Sequence, residues 1–415
     1  MRVLWVTAQV LPLVADDIGE GKSGFGGWVM NMLNQLKDVE NIELGVAMCS
    51  KKVNAMFEKD CDGIHCYVSP DVGGKAMDES AVNDIVDRFK PDIIHVEGNE
   101  FPIHNIFTKI KKVPVLLSLQ GILSGYEPYQ YGQLPISDFL FSPKRKNMLT
   151  AWILYFRKHF LFDNRISMEN DTIGNVQYIT GRTFWDRAHS HWINPDAEYF
   201  TCNRILRTDF YKEKWDADNF VKHTIYVGNG NSPLKGIHNV LEAVALLKNE
   251  FPDVKLYVSG VSPIVRNMSI KKFGYSRLIE KLIKKHNIEE NVVFTGSLSG
   301  SEMIDYMKKS NVYVLPSLIE NSPNTLGEAM ILGMPCVSAY TGGASEMAID
   351  EKECLFYRAN DPKLLAWQIR RVFTDEKLAK NIGEAARCHA KITHDPVLNR
   401  DALLNIYKKI LGKTE

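Results

Sequence analysis

Residues 311–347 read NVYVLPSLIENSPNTLGEAMILGMPCVSAYTGGASEM. Val312 to Leu315 make an apolar run of strand length that stops at Pro316. A polar loop follows, and a helix begins near Asn324 and closes at Gly333 and Pro335. Asn324 is one N-cap for that helix; Ser322, with Pro323 at the first helical position, is the other. With either cap, unpaired backbone N–H groups and the positive end of the helix dipole lie beside Glu320, an arrangement that binds phosphate. Glu328 lies one turn into the helix, where side chains lean back toward the N-terminus, so its carboxylate can accept hydrogen bonds from neutral hydroxyls of a ligand held there. Two carboxylates beside a phosphate site suit a ligand that offers them sugar and ribose hydroxyls, which points to a nucleotide sugar.

Residues 226–247, YVGNGNSPLKGIHNVLEAVALL, repeat the strand–loop–helix order. Lys235 and Gly236 open the helix, and a lysine in such a loop can neutralise a leaving diphosphate as a mobile point charge. Beyond these two stretches, short aliphatic or β-branched runs alternate with helical stripes, the pattern of parallel sheets covered by helices on both faces. Strands are expected at Val3–Ala8, Leu44–Met48, Ile64–Val68, Ile93–Val96, Val115–Leu119 and Val176–Ile179. In the second half they are expected at Thr224–Val227, Lys255–Ser259, Val292–Thr295, Val312–Leu315 and Cys336–Ala339. Val29, Met32, Leu33 and Leu36 form one helical core stripe; Ile237, Val240, Leu241, Val244 and Leu247 form another. The charged segment Asp209–His223 precedes a fresh strand and marks the domain junction.

With 45% hydrophobic residues in 415, the chain can core two or three ordinary domains. Fifty basic residues balance fifty acidic ones, so no global field exists to hold nucleic acid, and an anionic ligand must be met locally. Seven scattered cysteines without a C-x-x-C pair read as free thiols of a reducing cytoplasm. Met1–Val14 reads as a buried first strand rather than a signal peptide, since Thr7, Gln9 and Pro12 interrupt it. No run approaches the roughly 18 apolar residues of a membrane span.

Glu320, seven intervening residues, Glu328, then Gly333, Pro335 and Gly342-Gly343 resemble the signature of the retaining family-4 (group 1) glycosyltransferases of GT-B fold, polysaccharide-assembly type. The resemblance implies an α/β architecture of two Rossmann-like, doubly wound parallel-sheet domains facing a central cleft. The N-terminal acceptor-side domain would occupy residues 1–207 and the nucleotide-sugar domain 208–396, with 397–415 returning as a helix to the first. It implies that Glu320 faces the donor sugar, that Glu328 binds the ribose hydroxyls, and that the amides of Asn321 to Thr325, with Ser322 and Asn324 among them, hold sugar and diphosphate. Lys235 would meet the leaving diphosphate. The family's arginine after the first glycine of that loop is replaced by Asn229, which makes the site less positive. Gly24-Phe25-Gly26-Gly27 looks like the glycine loop facing the donor, and Phe294 to Ser297 like the loop that cradles the base. Gln120-Gly121 stands where the family commonly has His-Gly; Gln120 can bond a sugar hydroxyl but cannot titrate near neutral pH. In residues 179–187, ITGRTFWDR, Arg182 is a contact for acceptor or phosphate, or else stacks on a neighbouring tryptophan.

The implied activity is metal-independent transfer, with retention, of a sugar from a UDP- or GDP-sugar co-substrate to a glycan or lipid-linked glycan in cell-surface polysaccharide biosynthesis, with no other cofactor. A nucleotide-sugar epimerase of the same fold and an inactive glycan-binding module are the alternatives. Residues 143–162, PKRKNMLTAWILYFRKHFLF, read either as a buried helix or as a surface that meets the inner face of a membrane. Three patterns are set aside: Gly19-x-Gly21-x-x-Gly24 lies too far past its strand for a dinucleotide loop, Gly21-Lys22-Ser23 lacks the earlier P-loop glycine, and Asp216-x-Asp218 lies in a charged linker.

Overall fold

The computed structural model describes residues 1–21, 27–135, 145–260 and 273–412, without the side chains of 145–151, 153–155, 157–159, 161 and 273–274. The chain forms two compact units, one from residues 1–125, 163–206 and 394–415, the other from 126–162 and 207–393.

The first unit is built on an eight-stranded sheet in the order β3-β4-β2-β1-β5-β6-β7-β8. Its strands are β1 (Arg2–Thr7), β2 (Glu43–Ser50), β3 (Phe57–Cys61), β4 (Ile64–Pro70), β5 (Ile93–Glu97), β6 (Val115–Ser118), β7 (Tyr178–Gly181) and β8 (Glu198–Thr201). All neighbours run parallel except β3 with β4. β1 and β5 are buried along almost their whole length because helices cover both faces. The helix Gly27–Leu36 buries Val29, Met32, Leu33 and Leu36 against the sheet, as its stripe requires. The same core takes Leu403, Ile406 and Tyr407 from the last helix, Pro396–Ile410. Tyr407 is fully buried and its hydroxyl meets His95 Nδ1 at 2.5 Å.

The second unit has a six-stranded sheet in the order β11-β10-β9-β12-β13-β14. The strands are β9 (Thr224–Val227), β10 (Lys255–Ser259), β11 (Val292–Gly296), β12 (Val312–Leu315), β13 (Cys336–Tyr340) and β14 (Leu355–Arg358), all parallel. Strand order reverses at β9/β12, the place in such a sheet where ligands bind beyond the strand carboxyl ends. Asp209–His223 is no loose linker: Trp215 is buried, its amide donating to the Leu332 carbonyl at 2.7 Å and its indole N–H to the Ser310 carbonyl at 2.8 Å. Residues 126–135 pack with this unit because Leu134 lies against its core and Gly132 adopts φ +70° where a Cβ would stand 2.9 Å from the Pro233 carbonyl.

Each of the eleven strands read from the sequence is present, with Val176–Ile179 shifted two residues later. Three others went unread. β3 is charged and lies at the sheet edge, yet Asp62 and Gly63, both with positive φ, form the two-residue hairpin that joins it to β4, a signal present in the sequence. β8 (EYFT) and β14 (LFYR) are edge strands that lack the β-branched run by which the other short strands are legible. Among the described residues no helix is long and apolar enough to cross a membrane.

Candidate active site

In the second unit, three loops converge where the sheet order reverses. After β9 the chain passes Gly228 to Ser232, makes a short 3-10 turn at Pro233–Lys235, and enters the helix Ile237–Leu247 through Gly236. Gly236 has φ +67°, and a Cβ there would stand 2.0 Å from the Pro316 carbonyl oxygen, so only glycine lets this loop lie against the end of β12. The Leu318 amide donates to the Leu234 carbonyl at 2.9 Å and completes the contact. From the other side Gly342, φ +46°, approaches the Glu320 carbonyl so closely that a Cβ would stand 2.1 Å away, while the Gly343 amide donates to that carbonyl at 3.0 Å. Both glycine motifs therefore fix the backbone that carries Glu320.

The outcome is that Lys235 Nζ meets Glu320 Oε1 at 2.5 Å, a lysine and a carboxylate both mostly withdrawn from solvent. The helix Asn324–Leu332 starts here. Pro323, not Asn324 or Ser322, occupies the N-cap position and supplies no side-chain cap. Asn324 is already helical, and the Ser322 hydroxyl turns toward Met347 Sδ at 3.8 Å. First-turn amides thus lack a capping side chain, which leaves the dipole's positive end for an anion. The Asn321 amide donates to the Tyr126 hydroxyl at 3.1 Å, and Thr325 Oγ1 accepts from the buried Tyr313 hydroxyl at 2.8 Å. Asn229 folds back on its own loop, its Oδ1 accepting from the Asn231 amide at 3.1 Å. Ser297 is exposed just beyond β11.

Every residue from Leu326 to Leu332 is buried, Glu328 included. A carboxylate there needs a counter-charge. Arg207 supplies it, with Nε to Oε1 and Nη2 to Oε2 both at 2.6 Å. Burial pushes the Glu328 carboxyl above its ordinary range, and the Arg207 hydrogen bonds and charge pull it back. Arg207 escaped the sequence reading because its partner is 121 residues away and no motif surrounds it.

In the first unit Gln120 follows β6, its Nε2 donating to the Glu97 carbonyl at 3.3 Å and its own carbonyl accepting from Arg182 Nη2 at 3.1 Å. Arg182 is thereby tied to the strand end, while Trp185 pairs with the His189 ring at 4.5 Å. Gly27 begins the helix Gly27–Leu36, and Gly26 lies outside the described residues, as does Gly24. Trp28 donates to the buried Glu97 Oε1 at 3.1 Å, and Arg204 reaches the same oxygen at 3.2 Å while lying 4.5 Å over the Trp28 ring. Glu97, Arg204 and Tyr126 are further polar groups that no motif announced. A Cβ on Gly19 or Gly21 would meet nothing within 4 Å, so neither marks a close backbone approach. Asp216 Oδ1 accepts from the Asp218 amide at 3.0 Å in a local turn. All seven cysteines are free.

The sequence profile described as "Glycosyl transferases group 1" matches residues 208–389. A D-inositol 3-phosphate glycosyltransferase of Streptomyces avermitilis is 28% identical over 159 residues, which are 38% of this chain and 34% of that protein. The chain spans a third to about half of the length of the first curated relatives it matches. Among solved structures, sucrose-phosphate synthase from Thermosynechococcus elongatus superposes with a TM-score of 0.74 at 15% identity, covering 100% of both chains. Anabaena Alr3699/HepE in complex with UDP gives 0.69 at 14% identity, covering 99% of this chain and 100% of that one. Residues 208–389 therefore match the group 1 glycosyl transferases, in a chain of GT-B fold.

Proposed function

We propose that the protein is a retaining, metal-independent glycosyltransferase that moves a sugar from a nucleotide diphosphate donor to a glycan acceptor in cell-surface polysaccharide biosynthesis. The observation that carries this reading is the meeting of Lys235 and Glu320 beside an uncapped helix N-terminus at the reversal point of the sheet. One diphosphate there gains a lysine and first-turn amides, and displaces Lys235 from Glu320 toward its own oxygens. The base lies toward Ser297, Asn229 stands in the diphosphate loop, and the ribose hydroxyls donate to Glu328. Support for a nucleotide donor comes from the Anabaena neighbour, whose structure contains UDP.

In the proposed reaction the bond from the sugar's anomeric carbon to the phosphate oxygen breaks. The acceptor hydroxyl oxygen bonds to that carbon from the same face, and its proton passes to the departing phosphate oxygen. Lys235 and the amides near Asn324 and Thr325 stabilise the charge that grows on the diphosphate. Glu320 stabilises the electron-poor sugar, and Gln120 orients a sugar hydroxyl. Because lysine and amides carry the charge, the proposed step uses no metal. Arg182 is the proposed acceptor contact. Residues 143–162 are proposed to bring a cytoplasmic enzyme to a lipid-linked acceptor. Trp152, Phe156 and Phe160 recur every fourth residue on the helix Arg145–Gly174 and are 39%, 59% and 65% exposed.

The test is turnover of UDP- and GDP-sugars with glycan acceptors, preceded by a thermal-shift screen of UDP and GDP, since a ligand of the native state raises its stability. Nucleotide diphosphate should be released only when acceptor is present, and equally in EDTA. Conversion of the donor sugar without acceptor would establish the epimerase instead; tight nucleotide binding without turnover would establish an inactive module. Loss of activity in EDTA, restored by manganese or magnesium, would refute metal independence.

A further inference from the structure

Glu328 has its counter-charge from a residue outside every motif that locates the donor site. The guanidinium of Arg207 is held on several sides. It lies 4.7 Å over the ring of the buried Phe210, and Nη1 and Nη2 stand 3.4 and 3.3 Å from Met303 Sδ. Its fork meets both Glu328 oxygens at 2.6 Å, so the carboxylate plane is set by a group that is itself packed in place. An ionised carboxylate offers about four lone-pair positions. The guanidinium takes one on each oxygen and the Arg207 backbone amide also bonds the carboxylate, which leaves a remaining position for a ligand hydroxyl.

We infer that Arg207 is the positioning residue of the nucleotide site: it keeps Glu328 ionised and oriented so that the carboxylate accepts, and never donates, a hydrogen bond from the ligand's ribose. This rests on the reading of Glu328 as the ribose ligand and adds a residue to it. The physical need is specific. Glu328 is walled in by an apolar helix, and burial favours its neutral form. A neutral carboxyl keeps its size but turns one acceptor into a donor, which a ribose hydroxyl meets less well. Arginine is suited to the task because its charge persists across the accessible pH range and its fork matches a carboxylate; a lysine is a single point charge. The other ionisable groups that face the pair are Asp209 and Tyr226. Burial pushes Tyr226 up to about 12, which removes it from the neutral range.

The experiment is calorimetric titration of the full chain with UDP and GDP from about pH 6.5 to 9, where buried carboxyls without a counter-charge can titrate, for wild type, Arg207→Met, Arg207→Lys and Glu328→Gln. Methionine retains contact with Phe210 and Met303 while removing the charge. Arg207→Met should bind about 10- to 100-fold more weakly at the acid end, the worth of a hydrogen bond to a charged group. It should recover toward wild type as the pH rises and Glu328 gives up its proton. Arg207→Lys should lose several-fold with the wild type's flat profile, and the double variant Arg207→Met/Glu328→Gln should be no weaker than Glu328→Gln. Equal affinity of Arg207→Met and wild type overturns the inference, and so does a loss that is the same at every pH. If Arg207→Met fails to fold, wild-type affinity in Arg207→Lys overturns it. Nucleotide affinity untouched by Glu328→Gln is a different outcome: it overturns the ribose reading, and Arg207 loses its role with it.

Discussion

Lys235, Glu320 and Glu328 sit at different distances from the bond proposed to break, and their kinetic signatures should differ accordingly. Ribose contacts persist from ground state to transition state, so Glu328→Ala should chiefly raise the donor KM. Diphosphate charge grows as the sugar departs, so Lys235→Ala should lower kcat, by about 10² to 10³ if it behaves as other oxyanion donors do. Glu320→Gln keeps shape and removes charge beside an electron-poor sugar, and should lower kcat while nucleotide affinity stays nearly intact. Steady-state kinetics on folded variants decide the matter; near-wild-type kcat in both Lys235→Ala and Glu320→Gln would end the active-site assignment. What made these three residues legible was local: each lies in a loop or within a turn or so of a helix start punctuated by glycine and proline. Arg207 and Tyr126 had no such punctuation, and their roles arise only from contacts with residues 121 and 195 positions away.

Among the elements, the long helix Arg145–Gly174 does something that its stripe could not announce. Glu169, fully buried, accepts the amides of Leu123 at 2.8 Å and Ser124 at 3.1 Å, and Asn99 Nδ2 at 2.6 Å. It caps the short helix Leu123–Tyr126, and Asn99 passes the restraint to the Gly121 carbonyl at 2.8 Å, next to Gln120. Burial pushes the Glu169 carboxyl up to about 7, against the pull of those amides. A folded pKa above the unfolded one means that the native state holds the proton more tightly. The stability from this group is therefore complete below about pH 4.5 and is lost as pH rises through about 7. The loss amounts to roughly 3–4 kcal/mol at most, at about 1.4 kcal/mol per pH unit. Denaturant unfolding between these limits should show that decline in wild type and a flatter course in Glu169→Gln; parallel curves would show that Glu169 does not titrate there. At this scale the strands were legible wherever β-branched runs were buried on both faces. β3 was not, because an edge strand can be charged on an exposed face and still complete its ladder.

On the scale of the whole molecule, chain order and spatial grouping part company. Tyr407 closes the core of the first unit against His95, 312 residues earlier, and residues 126–135 belong with the second unit. The proposed membrane contact concerns where the whole protein resides rather than any single residue pair. Residues 143–162 contain five lysines and arginines and no acid, alongside the exposed Trp152, Phe156 and Phe160. Basic residues next to aromatic ones suit an anionic headgroup boundary. In a flotation assay the wild type should rise with vesicles containing phosphatidylglycerol, less so at high salt, and the triple variant Trp152→Ser/Phe156→Ser/Phe160→Ser should stay behind. A wild type that ignores such vesicles, together with full activity of the triple variant on a lipid-linked acceptor, would refute it.

Sequence alone determined the alternation of strand and helix, and hence the two parallel sheets, because period and punctuation are properties of consecutive residues. It also determined where phosphate-binding loops lie, since a glycine before a helix restricts backbone geometry within a few residues. Only tertiary structure decided which charges meet: Lys235 with Glu320, Arg207 with Glu328, Arg204 with Glu97. The physical reason is that an ion pair needs no local pattern on either partner. Its strength depends on burial and on a separation of a few ångströms, and both are set by how distant segments pack.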